Sequence, residues 1–175
     1  MPSSPAVTGA RVRLTPLDEA DASILFEWIN DRTLVELSSA FAPVSAADHL
    51  RWFADIRQRP GTHIFAIRRL DDPLVIGTCQ LHGIHPVHRS AELQIRIGDT
   101  RFRGQGLGTE AVRLLVAFGF GELRLHRIAL HVFATNLAAQ RAYEKAGFVR
   151  EGLLKDAAFV GGRFVDTVSM AILNV

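Results

Sequence analysis

The sequence has little cysteine and no long apolar run. Cys79 is the single cysteine among 175 residues, which excludes an internal disulfide and fits a reducing cytoplasm. The longest unbroken apolar stretch, residues 114–118, is far shorter than a membrane span. Residues 1–10 lack the basic start and apolar core of a secretory signal. We therefore expect a cytoplasmic protein without a membrane partner.

Lysine is also scarce, and the positive charge comes from arginine. Of the 20 Lys and Arg residues only Lys145 and Lys155 are lysines, and the formal net charge is +2. The arginines are spread from Arg11 to Arg163, whereas nucleic-acid-binding proteins cluster their positive charge on one face or tail. We expect no nucleic-acid partner.

The remaining composition is that of one ordinary globular domain. Hydrophobic residues make up 48% and charged residues 22% of the chain, which excludes the disordered and fibrous classes. A chain of 175 residues buries enough apolar surface to fold unaided. The sequence therefore predicts a single domain over residues 1–175.

Hydrophobic periodicity predicts strands and two helices in the first half. Ile24, Leu25 and Trp28 lie on one helical stripe within residues 21–30. Residues 45–48 form a capping box that begins a second helix. We expect the apolar face of that helix to consist of Leu50, Phe53 and Ile56. Alternating patterns predict strands at 12–14, 62–70, 74–81 and 90–97, with the second and third forming an antiparallel hairpin.

Helix and strand alternate after residue 97. Helices are predicted at 106–120 and 137–146, and strands at 127–133, 148–152 and 164–173. The chain thus begins mainly with strands and continues as a β-α-β-α-β series. This order predicts the α/β (α+β) class with a mixed sheet flanked by helices.

A glycine-rich turn follows the strand at 90–97. Gly104, Gly106 and Gly108 let several main-chain N–H groups point into one concavity, and a helix begins there with its positive dipole end. Arg101 and Arg103 add full charges. The turn lacks the Walker ending and has GxGxG in place of the dinucleotide GxGxxG pattern. Such a turn favours a phosphate or pyrophosphate, although an ordinary strand-to-helix turn stays open at this point.

Two blocks of sequence resemble a known family. Residues 103–108, RGQGLG, resemble the R/Q-x-x-G-x-G/A acetyl-CoA loop of the GNAT N-acetyltransferases. A register that begins at Arg101 fits the same bare pattern. Residues 136–148, NLAAQRAYEKAGF, are similar to the family's N-x-x-S/A-x-x-x-Y-E-K-x-G-F segment, with Ala139 where many relatives have serine. Residues 27–31, EWIND, the His49-x-x-Trp52-Phe53 motif and residues 161–166, GGRFVD, resemble the RimJ/RimL-like branch, which modifies ribosomal-protein amino termini, polyamines or amino-sugar nucleotides.

The resemblance implies a GNAT fold and a place for acetyl-CoA. The fold is a mostly antiparallel sheet of about seven strands with about four helices, splayed between the strands at 90–97 and 127–133. The pantetheine arm would lie in that opening and bond to the main chain of Ile95 and Ile97, like an added strand. By resemblance the cofactor residues outside that strand are Arg101, Arg103, Gly104, Gln105, Gly106, Leu107, Gly108, Thr109 and Asn136.

The resemblance also implies the catalytic groups. Asn136 and Tyr143 are two helical turns apart and share a face. Asn136 would hold the coenzyme arm, and Tyr143 would donate a proton to the departing thiolate. Glu92 is the candidate base, although a surface role, an ion pair with Arg96 or Arg124, or an ordered water in its place stays open.

The resemblance further implies that residues 1–60 select the acceptor, through Trp28, Asn30 and Trp52, and that residues 90–150 bind acetyl-CoA. We expect a primary amine of a small molecule or a protein amino terminus as acceptor. A polyamine or amino-sugar nucleotide is the alternative, and a non-catalytic CoA-binding sensor is an alternative of another class. The carboxylates are dispersed, and those in residues 18–21 are attributed to a helix dipole. A homodimer is the expected assembly.

Cys79, His82, His85 and His88 have the three-residue spacing of some metal ligands. On a strand followed by a loop with Pro86, this spacing does not bring the side chains together, so we expect no metal. The histidines are instead expected in a loop at the mouth of the acceptor cleft. Cys79 has no paired base nearby in the sequence, so direct transfer without an acyl-enzyme is expected.

Overall fold

The computed structural model describes residues 6–175. Residues 1–5, half of the stretch in which no leader is expected, lie outside the described residues. The strands are β1 (Val7–Thr8), β2 (Val12–Pro16), β3 (His63–Arg69), β4 (Val75–His85), β5 (Ser90–Ile97), β6 (Arg127–Phe133), β7 (Val149–Val160) and β8 (Arg163–Leu173). The helices are α1 (Ala22–Ile29), α2 (Arg32–Val35), α3 (Ala46–Ile56), α4 (Leu107–Gly121) and α5 (Leu137–Lys145).

The strands form one sheet in the order β1-β2-β3-β4-β5-β6-β8-β7. Neighbouring strands are antiparallel except β5 and β6, which are parallel. The predicted mixed α/β class is confirmed, with eight strands in place of about seven and five helices in place of about four. The additional elements are the two-residue β1 and the four-residue α2, both too short to give a periodic pattern.

The sheet opens between β5 and β6. These strands pair only through Ser90–Arg127, Ala91–Ile128 and Glu92–Ala129. Beyond Glu92, β5 continues to Ile97 with β4 as its partner but no further pairing to β6. The predicted splay is therefore confirmed, and it leaves one edge of β5 available to a ligand in extended conformation.

Helices cover both faces of the sheet. On one face α4 contributes Ala111, Val112 and Leu115 to the main core, each at most 1% exposed. On the other face α1 and α3 form a second cluster through Leu25 and Phe53. This second layer leaves a cavity between its helices and the sheet.

An ion pair fixes the start of α1 against the sheet. The guanidinium of Arg68 on β3 donates from Nη2 to Oδ1 and Oδ2 of Asp21, at 2.9 and 2.8 Å. The Asp21 carboxylate also accepts the main-chain N–H of Asp18, and its side chain is only 5% exposed. Asp21 is therefore a buried anchor, and attributing it to the helix dipole alone was wrong.

Three other local predictions differ from the structure. Leu50 is 59% exposed, and His49 takes its place on the buried face of α3. His82 and His85 lie within β4, with an irregular register between them, because the strand continues past the predicted end. β7 runs to Val160, because its mostly exposed residues lack the alternation that marks a half-buried strand.

Candidate functional site

A cavity of about 570 Å³ lies between α1 and α3 on one side and β4 and β5 on the other. Trp28 and Trp52, two of the predicted acceptor residues, line it, and so do Ile95 and Tyr143. The cavity thus joins the layer formed by residues before 60 to the opening of the sheet.

Trp28 is held in the cavity wall by its contact with Gly98. A Cβ atom built at position 98 would overlap the indole ring at Cδ2, Cε2 and Cε3. The close approach of the ring to the main chain therefore needs glycine at this position.

We expect Gly98→Ala to displace Trp28, because the ring cannot remain where the new methyl group lies. Overpacking of this kind costs about 1–3 kcal/mol of unfolding free energy. The KM of the acceptor should rise, while the acetyl-CoA Kd should change little; chemical denaturation and steady-state kinetics measure both. Gly152→Ala is the control, because a Cβ there has no neighbour within 4 Å. Unchanged stability and acceptor KM in Gly98→Ala would contradict the predicted role of Trp28 in binding the acceptor.

Tyr143 lies on α5 and is 9% exposed. Its ring packs near Phe148, with the centroids 6.0 Å apart. Burial raises the pKa of Tyr143 to about 12. The phenol is therefore protonated throughout the neutral and moderately alkaline range, which is the state that donates a proton or a hydrogen bond.

Glu92 lies on β5 opposite Ala129 of β6, and His131 follows two residues later on the same face of β6. Glu92 Oε2 is 3.8 Å from His131 Nδ1, and His131 lines the cavity. Among residues 6–175 Glu92 makes no ion pair with Arg96 or Arg124. Sequence reasoning missed His131; the strand alternation of β6 was the one signal that could have placed it.

The glycine turn has the conformation that its composition predicts. Gly104 and Gly106 have φ of 71° and 79°, values that side-chain-bearing residues rarely adopt. Gly106 is the N-cap of α4 and no side chain caps the helix, so its first N–H groups are left for a ligand or solvent. Arg11, which sequence reasoning also missed, donates from Nη1 to the Gln105 carbonyl at 2.9 Å and supports the turn.

The two arginines beside the turn are engaged by other groups. Arg101 forms hydrogen bonds with both oxygens of Asp99, the shortest at 2.7 Å. Arg103 donates from Nε and Nη2 to the Ile97 carbonyl, both at 3.0 Å. This carbonyl is one of the main-chain groups expected to bind the pantetheine arm. The turn therefore offers main-chain N–H groups, with Leu107, Gly108 and Thr109 in the first turn of α4.

The side-chain amides of Asn30 and Asn136 form hydrogen bonds with main-chain groups of the protein. Asn30, a predicted substrate contact, bonds to the main chain of Phe26 and Val44 and is not among the residues that line the cavity. Asn136 Oδ1 accepts the N–H of Ala139, and its Nδ2 donates to the Leu37 carbonyl. Both amides satisfy orphaned main-chain groups, a use that motif spacing does not reveal.

The Cys79 and histidine series does not come together. Cys79 is 1% exposed, and burial raises the pKa of its thiol. His85 and His88 stack with their ring centroids 4.1 Å apart. In the part of the chain from residue 6 onward, no group of three or more His, Cys, Asp or Glu side chains is placed to hold a metal ion. The helices of this part are all too short or too polar to cross a membrane.

Comparisons with known proteins identify a matching family and similar proteins. The family model described as "Acetyltransferase (GNAT) domain" matches residues 11–149. The chain is 41% identical over 113 residues to the probable N-acetyltransferase YjcK of Bacillus subtilis, covering 63% of this chain and 61% of that protein. It is 39% identical over 100 residues to the spermidine N(1)-acetyltransferase of Vibrio cholerae, covering 57% of each. Both matches thus span less than two thirds of the relative's length.

A solved structure is similar over nearly the whole chain. It is the crystal structure of spermidine N-acetyltransferase from Vibrio cholerae in complex with CoA and spermine, with a TM-score of 0.85 and 28% identity. The match covers 94% of this chain and 96% of that one.

Proposed function

Because the chain belongs to the GNAT acetyltransferase family, we propose that it transfers an acetyl group from acetyl-CoA directly to a primary amine. The acceptor is a small molecule or a protein amino terminus. The observation that carries this proposal is the shared cavity: Ile95, on the strand edge that β6 leaves open, and Tyr143 line the same space.

Acetyl-CoA binds through main chain in this proposal. The N–H groups of residues 104–109 and the uncapped start of α4 hold the diphosphate. The pantetheine arm lies along the free edge of β5 and bonds to Ile95 and Ile97. Binding to the Ile97 carbonyl requires the Arg103 guanidinium to leave it, which frees that charge for the diphosphate nearby. Arg101 stays on Asp99 and contributes to the field around the turn.

The reaction needs three contributions from the protein. The amine nitrogen attacks the thioester carbon, and a main-chain N–H on β5 stabilises the oxyanion. As the carbon–sulfur bond breaks, Tyr143 donates its proton to the thiolate. The acceptor amine loses its proton toward Glu92, directly or through His131. Cys79 takes no part, because its buried thiol stays protonated.

We expect Glu92→Gln and His131→Gln to lower kcat each by about 100-fold if the two groups relay one proton. The double variant should be no slower than either single one, because removal of one member breaks the relay. Additive losses in the double variant, or an unchanged kcat in either single variant, would assign the proton to water. Asp166→Asn, outside the cavity, is the control.

A polyamine is the second candidate acceptor. The Vibrio cholerae relative is named for spermidine, and its solved structure holds CoA and spermine. The RimJ/RimL-like branch, with ribosomal-protein amino termini as acceptors, remains the other reading. A homodimer, a cytoplasmic location and the division into an acceptor part (residues 1–60) and a coenzyme part (residues 90–150) belong to the same proposal.

The deciding experiment is release of free CoA from acetyl-CoA, measured with a thiol reagent against a panel of amines and alanyl or seryl peptides. Acetylated product identified by mass spectrometry supports an enzyme. Tight CoA binding without product from any amine would favour the non-catalytic sensor.

A further inference from the structure

The acceptor cavity contains a cation that has no carboxylate partner. Arg96 projects from the polar side of β5 and lines the cavity. Its one side-chain hydrogen bond is from Nη2 to Ser38 Oγ, at 3.2 Å. Within residues 6–175 no carboxylate lies within 4.0 Å of its guanidinium, whereas nine other arginines form ion pairs.

The surroundings of Arg96 make this cation costly. Burial lowers the pKa of the Arg96 guanidinium, and the like charge of Arg103 lowers it further. Asp48 is the carboxylate that lines the cavity, and it already accepts from Ser45 and pairs with Arg51. A half-buried guanidinium without a counter-ion is stabilised when a ligand supplies the anion.

The other walls define the remainder of the ligand. They combine apolar and aromatic side chains, from Leu25, Trp28, Ile29 and Ile64, with the uncharged polar side chains of Thr78, Gln80 and Gln94. Glu92 and Arg96 are four residues apart on β5, about 13 Å along the strand. A ligand whose amine lies near Glu92 and His131 therefore meets Arg96 with its other end. Polyamines carry several positive charges, and they would meet like charge there.

We propose that the acceptor is a primary amine with a carboxylate at its far end and an apolar body between them, such as a short peptide, and that Arg96 binds the carboxylate. This inference rests on the proposed function, because it names the substrate class of the same site. A single guanidinium matches one carboxylate in charge and in its two parallel hydrogen bonds.

The test uses matched pairs of acceptor amines that differ only in the presence of the carboxylate charge. Each pair is an acid and its primary amide: alanyl-phenylalanine and 6-aminohexanoic acid, with spermidine as a further acceptor. The amide has the less basic amine, so a preference for the acid cannot come from amine deprotonation. We expect kcat/KM at least about tenfold higher for the acid in one or more pairs, as one charge-assisted contact implies.

Variants of Arg96 test whether this residue causes the preference for the acid over the amide. Arg96→Met should bring acid and amide to the same kcat/KM, and Arg96→Lys should retain part of the difference. Arg150→Met is the matched control, since Arg150 is an exposed residue of β7 outside the cavity. Isothermal titration of the same pairs into the CoA-loaded protein gives a second readout that does not need turnover.

The outcomes separate this inference from the proposed function. Acetylation with equal rates for acid and amide, or with spermidine preferred in wild type and Arg96→Met alike, overturns the inference and keeps the enzyme. Acid-selective binding that Arg96→Met abolishes, without acetylation of any amine, supports the inference and overturns the enzyme. A rise in the acetyl-CoA Kd as the sole effect of Arg96→Met assigns the residue to the coenzyme and overturns the inference.

Discussion

Tyr143→Phe is expected to lower kcat by about 1,000-fold, within the range for loss of a general acid, while the acetyl-CoA Kd stays within about threefold of wild type. The substitution removes the proton that the departing thiolate needs and keeps the ring that packs near Phe148. In the chain from residue 6 onward the hydroxyl has no hydrogen-bond partner, so no buried group is orphaned. Single-turnover kinetics and titration calorimetry measure the two effects separately.

The pH dependence provides the control for Tyr143. Because burial raises its pKa to about 12, the acid remains protonated up to about pH 11. The wild-type rate should therefore rise as the acceptor amine loses its proton and should show no fall between pH 8 and 10. A descending limb in that interval, or equal losses of kcat and coenzyme affinity in Tyr143→Phe, would reject the assigned role.

Gly106→Val is expected to weaken acetyl-CoA binding by at least about 100-fold, or about 2.7 kcal/mol. Gly106 has φ of 79°, and a β-branched residue is strained in this region of backbone conformation. Relaxation of the turn rotates the N–H groups at the start of α4 away from their common point. A Cβ at this position also lies 3.2 Å from Arg11 Nη2, so the support of the turn shifts with it.

Gly162→Val is the control that separates the effect of backbone strain on stability from the loss of acetyl-CoA binding. Gly162 has φ of 80° in the turn between β7 and β8, and a Cβ there has no neighbour within 4 Å. Both variants should lose a similar free energy of unfolding, about 1–2 kcal/mol, but only Gly106→Val should lose the coenzyme. Equal affinity in the two, measured by calorimetry on folded protein, would mean that the turn does not hold the diphosphate.

Much of the fold followed from local pattern. The bounds of β5 and β6 agree with prediction because residues 90–94 and 127–132 alternate between more and less buried positions. α4 begins one residue later than predicted, since Gly106 becomes its cap. The length of β7 was underestimated because its position at the edge of the sheet leaves its residues exposed on both faces. Periodicity thus reports burial, and it fails where a strand is not buried.

The sequence by itself determined the glycine turn, the block that contains Tyr143 and the order of strands and helices, because these depend on spacing within one short segment. Tertiary structure alone decided which distant groups meet. It brought Glu92 to His131, placed Arg103 on the Ile97 carbonyl and bonded Asn30 to the main chain of Phe26 and Val44. Within residues 6–175 it also left Arg96 without a carboxylate partner. These contacts depend on how the strands separate and on how α1 and α3 pack over them, which no local spacing encodes.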